Sequence, residues 1–191
     1  MSKQQAPGKG GRGARQRILD AAAELFYREG INATGVERLA AESSVSKRTL
    51  YQHFPSKTAV VEEYLRSIED RVSDPRQGTD QTPRERLLAV FQTPTALGGP
   101  LRGCPFHNAA VEAAGAMPGV QEIVRASKRS FINGLVELAN QAGAADPQLL
   151  GNELGVLYEG AAALTTSLDD SSPWNQARAA AETLIDNAIA R

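Results

Sequence analysis

The sequence predicts an all-α protein of about nine helices, and three observations predict it. Apolar residues recur at intervals of three and four along most of the chain, the period of a helix with one buried face. No run alternates apolar with polar β-branched residues, as a half-buried strand would. Serine, threonine, aspartate and proline stand where the periodic stretches begin, and glycine or proline where they end.

Each element follows from that punctuation. Ile18, Ala22, Leu25 and Phe26 give the first helix its face from about Arg12 onward, and Gly30 supplies the left-handed stop. Thr34 with Glu37 reads as a capping box opening a second helix through Val36, Leu39 and Ala40. The stretch Ser43-Ser44-Val45-Ser46 breaks it, and Ser46 caps a short third helix from Lys47 to about His53. Pro55 ends that helix, because the residue before proline is pushed out of the α region. Ser56 caps a fourth, carried by Ala59, Val60, Tyr64 and Ile68 until Asp74 and Pro75. Thr82, Pro83 and Glu85 open a helix through Leu87, Leu88 and Phe91, and Pro94, Gly98, Gly99 and Pro100 mark a long loop. Pro105 begins a shorter helix through Val111; Pro118 begins a long one through Leu138 that finishes near Gly143. Asp146 with Pro147 and Ser172 with Pro173 start the last two.

Composition bounds the function. A chain of 191 residues can bury a substantial core, and its one cysteine, Cys104, excludes an intramolecular disulfide framework. No apolar run approaches the roughly 18 residues of a membrane span, and Met1 to Gly13 lacks the apolar stretch of a signal peptide, so the expected compartment is the cytoplasm, with no membrane partner. The net charge of -1 argues at first against a nucleic-acid partner. Its distribution argues the reverse. Residues 1–57 hold ten basic and five acidic groups, a net of +5, which leaves -6 for the remainder. An anion-binding module joined to an acidic one has this asymmetry.

The second and third helices, joined by a tight turn, form a helix-turn-helix candidate from Thr34 to Phe54. Lys47 and Arg48 fall in the first turn of the third helix, where side chains reach base edges or phosphates, and Thr49, Tyr51 and His53 add polar tips. Leu50 and Phe54, four apart, face the core. Lys57 lies in the first turn of the next helix, whose free amides also favour anions. Arg12 and Arg15 extend a basic arm ahead of the motif. A merely solvated cationic face would have the charge without the ordered caps.

These residues resemble the TetR family of one-component transcriptional regulators. Arg17 to Gly30 is similar to that family's first helix, Thr34 to Ala40 to its second, and Val45 to Lys57 to its recognition helix and the start of helix four. The resemblance implies DNA contacts from Thr34, Lys47, Arg48, Thr49, Tyr51, His53 and Lys57. Ser44 departs from the pattern where the family often has a turn glycine, and Gly35 where a hydroxyl often bonds phosphate. The implied organisation is a basic tail over 1–11, a DNA-binding domain over 12–57 and a ligand-binding, dimerising domain over 58–191. The implied function is a homodimeric repressor on a double-stranded, pseudo-palindromic operator. A small molecule would release it by shifting helix four.

In the larger domain, Phe91, Cys104, Phe106, His107, Val111, Phe131 and Trp174 are candidates to line an apolar ligand pocket. Gly151, Leu154, Gly155, Tyr158, Ala162, Leu184 and Ile185 on the final two helices are candidates for the dimer seam, with ordinary intrachain packing as the competing role for each. Two histidines and one cysteine are too few for a structural zinc site, and no cofactor is expected. Three further readings compete. An all-α enzyme would use Cys104, His107 and Glu112, and a redox-sensing regulator would use Cys104. A protein-interaction module would make the basic first part incidental.

Overall fold

The computed structural model describes residues 12–69, 80–93 and 101–189. The predicted tail over 1–11, the helix end at Asp74 and Pro75, and the loop over 94–100 lie outside the described residues, as does the side chain of Arg12. Among the described residues there are nine helices and no strand: α1 (Arg12–Arg28), α2 (Val36–Glu42), α3 (Lys47–His53), α4 (Lys57–Glu69), α5 (Pro83–Ala89), α6 (Pro105–Glu112), α7 (Pro118–Gln141), α8 (Pro147–Leu168) and α9 (Ser172–Ile189). No described helix is long and apolar enough to cross a membrane. The chain divides into two compact units, and the division falls inside α4, between Ser67 and Ile68.

That division lies beyond Lys57, where the charge asymmetry placed it. The reason is packing, since α4 completes the first unit's core. Val60, Val61, Tyr64 and Leu65 are buried, and the Tyr64 ring meets Phe26 of α1 edge-on at 5.4 Å. From α1 come Ile18, Ala22 and Leu25, from α2 Leu39, and from α3 Leu50, all buried. Removing such side chains from water at about 25 cal/mol per Å² drives the assembly of three helices too short to persist alone.

The second unit is a helical bundle in which α7 with α8 and α8 with α9 make the most extensive contacts, and α5 and α6 pack on α7. Its core joins Leu87, Leu88 and Phe91 to Leu135 and Leu138 of α7, Leu150 and Leu154 of α8, and Trp174, Ala181 and Ile185 of α9. The caps read in the sequence are formed at α5, where Thr82 and Glu85 make a reciprocal capping box, and at α8, where Asp146 accepts from the Leu149 amide.

Gly103 and Gly151 carry close approaches. Gly103 has φ +62°, and a Cβ there would lie 2.4 Å from the Ala162 carbonyl. At Gly151 a Cβ would lie 2.5 Å from Val136 Cγ2 and 2.8 Å from its Cα, so α7 and α8 meet nearly backbone to backbone.

Candidate nucleic-acid interface

The recognition-helix candidate is built by its own first turn. Ser46 caps α3, its hydroxyl accepting from the Thr49 amide at 3.0 Å and lying 2.9 Å from Thr49 Oγ1. The preceding turn holds Ser44 at φ +50°, the left-handed region that a glycine would occupy without a Cβ penalty. The Ser43 hydroxyl donates to Leu39 O at 2.6 Å, and Arg17 Nε donates to Ser43 O at 3.1 Å, so α1 and the end of α2 both hold the turn.

With Leu50 and Phe54 buried beneath it, α3 turns Lys47, Arg48 and Tyr51 outward. Tyr51 is 50% exposed, large for an aromatic residue and enough to lay its ring against another surface. Arg48 makes no hydrogen bond or ion pair among the described residues. Lys47 Nζ donates to Glu37 Oε1 at 2.8 Å. That bond holds the Glu37 carboxyl below the usual carboxylate range and Lys47 above the usual lysine range. Thr49, His53 and Lys57 are half-buried, and Ser56 caps α4 by accepting from the Ala59 amide at 3.1 Å.

Two expected contacts are otherwise engaged. Thr34 is fully buried, and its hydroxyl donates to the Gly30 carbonyl at 2.7 Å. The N-cap of α2 is Gly35, with no side-chain cap bond, so the capping box predicted from Thr34 and Glu37 is not formed. A buried hydroxyl cannot touch DNA; Thr34 instead ties the α1–α2 connection together. Arg15 bonds Glu63 of α4 and stacks over the Phe54 ring at 5.4 Å, bracing the motif from behind. Glu37 is the residue that sequence reasoning missed. The sequence presents it as part of a cap, and its separation of ten residues from Lys47 leaves no local spacing to signal their pairing.

In the second unit, Phe91, Phe131 and Trp174 gather around Tyr158, with ring centroids 6.4, 4.7 and 5.1 Å from it. Tyr158 was expected at the dimer seam, but burial, with Cys104 and Glu159 nearby, pushes its hydroxyl well above the usual tyrosine range. Trp174 Nε1 and Thr165 Oγ1 are buried without a hydrogen-bond partner. Beside this cluster, Lys128 bonds the Glu159 carboxylate and donates to Cys104 Sγ at 3.3 Å, while His107 Nδ1 lies 4.0 Å from Glu159 Oε2. The enzyme-like trio is therefore served by a different carboxylate, since Glu112 pairs with Arg102 at 3.8 Å. Phe106 is buried in α6, but Val111 is 65% exposed and does not line an interior. Among the described residues no group of three His, Cys, Asp or Glu side chains could hold a metal ion.

The residues expected at the dimer seam pack largely within the chain itself. Gly151 packs against Val136 and Gly155 against Ile132 of α7, both within one chain. Leu154, Ala162 and Ile185 are buried in the same core, and Leu184 is packed against it. The large apolar side chains that α8 leaves in solvent are Leu149, Val156, Leu164 and Leu168.

A capped, outward-facing cationic helix held by two supporting helices defines the class of helix-turn-helix DNA-binding regulators. The profile of bacterial regulatory proteins of the tetR family matches residues 18–64. The crystal structure of a protein from Streptomyces avermitilis assigned as a TetR transcriptional regulator is 30% identical, with 92% of this chain and 97% of that one covered and a TM-score of 0.78. The chain belongs to the TetR family of transcriptional regulators. Curated relatives resemble it over shorter stretches. The transcriptional activator FasR of Mycolicibacterium smegmatis is 38% identical over 81 residues, 41% of this chain and 37% of that protein. The transcriptional repressor KstR2 of Rhodococcus jostii is 43% identical over 63 residues, 33% of this chain and 30% of that protein. These matches thus span about a third of each relative's length, 37% and 30%.

Proposed function

We propose that the protein is a homodimeric, ligand-responsive repressor that reads a pseudo-palindromic operator with α3 and leaves it when a small, mainly apolar molecule binds the second unit. The observation that carries the DNA reading is the Ser46-capped helix presenting Arg48 and Tyr51 outward over buried Leu50 and Phe54. In this reading Lys47, Arg48, Thr49, Tyr51, His53 and Lys57 meet DNA. The name of KstR2 supports repression, and a dimer covering two half-sites can exclude polymerase without a further partner.

The aromatic group around Tyr158 supports the effector site, because a buried donor within it, Trp174 Nε1, lacks a partner. A buried donor without an acceptor costs about 1–3 kcal/mol, so a ligand offering an acceptor is favoured over a pure hydrocarbon. Release requires only a coupling of about 1–3 kcal/mol between ligand and operator, a 5- to 150-fold loss of affinity. Movement of α4, the helix within which the two units divide, would carry it. This function places the protein in the cytoplasm, with DNA.

A gel shift of its own promoter region against random duplex, repeated across salt, tests the reading. Specific binding weakened by salt is expected, with Arg48→Ala costing roughly 1–3 kcal/mol on the promoter. Equal affinity for the two duplexes overturns it. Higher transcription from that promoter on deleting the gene is the expected sign of repression.

A further inference from the structure

We propose that Glu37 determines specificity at this interface: it withholds Lys47 from phosphates on arbitrary DNA and accepts a cytosine amino group on the operator. The inference rests on α3 being the recognition helix. Of the carboxylates seen in ion pairs in the first unit, Glu24, Glu29, Glu42, Glu62 and Glu63 each bond an arginine on α1, α2 or α4. Glu37 alone among them crosses to α3, where it takes Lys47 Nζ at 2.8 Å. It is also the most exposed of those carboxylates, at 74%, beside a lysine at 57%. Neither side chain is held by burial, so the pair can open when a competing partner arrives. The adjacent cation, Arg48, has no carboxylate of its own among the described residues. Of two neighbouring positive charges, one is masked and one is free.

A carboxylate on a DNA-facing surface meets a dense row of phosphates and is repelled by it. It is tolerated where it accepts a hydrogen bond from a base edge, and in the major groove the donor suited to glutamate is cytosine N4. On a duplex without cytosine at that place, Glu37 either keeps Lys47 or sits unpaired among phosphates. Both weaken binding to the wrong sequence, which is how a repulsive element creates specificity.

The test uses full-length wild type, Glu37→Gln, Lys47→Gln and the double variant. Wild type first enriches a duplex from a randomised library, and affinities for that duplex and a scrambled version are measured over a salt series. Glu37→Gln should bind the scrambled duplex several-fold tighter, with a log-log salt slope steeper by about one, the signature of one added phosphate contact. In a repeated selection it should lose the preference for one cytosine-bearing base pair per half-site. Against a Lys47→Gln background the slope change should vanish. An unchanged slope and base preference overturn the proposal, as does an equal loss on both duplexes with a lowered melting midpoint, which would make Glu37 a structural staple. Failure of wild type to enrich any duplex would instead overturn the reading of α3 itself, and the proposal with it.

Discussion

Thr34 shows how one hydroxyl can serve the fold where a ligand contact was expected. Its side chain is sealed from solvent and donates to the carbonyl of Gly30, itself buried at φ +97° just past α1. Thr34→Val keeps the shape and removes the donor, leaving a buried carbonyl unpaired. The expected cost is about 1–3 kcal/mol of stability, read as a lowered chemical-denaturation midpoint. The salt slope of DNA binding should stay at the wild-type value, because no phosphate contact is lost. A slope reduced by about one, with stability unchanged, would restore Thr34 to the interface.

At the scale of elements, local signals were the legible ones. Helix starts that depend on a residue and its near neighbours were readable at α3, α5 and α8, from Ser46 to Asp146, because a cap is a contact across three residues, whereas at α2 the Thr34–Glu37 box is replaced by an uncapped Gly35. The exposed cations of α3 were readable for the same reason. What the sequence did not carry is which partner a small or apolar residue meets. Gly151 and Gly155 mark a close helix approach in any reading, but only the fold shows that the neighbour is α7 of the same chain. Tyr158 likewise belongs with Phe91, Phe131 and Trp174, residues from three other places in the chain. Gly151→Ala tests the element-level assignment. A methyl driven to within 3 Å of the Val136 backbone forces α7 and α8 apart, and overpacking of this kind costs about 1–3 kcal/mol. The melting midpoint should fall at any protein concentration. A loss seen only on dilution would return Gly151 to a seam between chains.

For the whole molecule the decisive requirement is two recognition helices, since one seven-residue helix reads too few bases and paired half-sites lie about 34 Å apart. With Gly151, Gly155 and Ala162 packed in the chain's own core, the proposed dimer would draw on the apolar side chains that α8 leaves exposed. Leu149, Val156, Leu164 and Leu168 are each at least half exposed, and Val156, at 73%, is the most exposed of them. Leu149 and Val156 are seven residues apart, two turns along one helix, so they share a face. Such a face is unfavourable in water, and pairing with its copy across a two-fold axis removes both patches at once. Val156→Asp would bring two carboxylates together near the axis while leaving the chain's own core untouched. Sedimentation should therefore show a monomer with unchanged helical content, whereas wild type is expected to sediment as a dimer. Binding to a full operator should fall to the level of a single half-site. A Val156→Asp protein that remains dimeric would place the seam elsewhere, with the polar outer face of α9 as the next surface to alter.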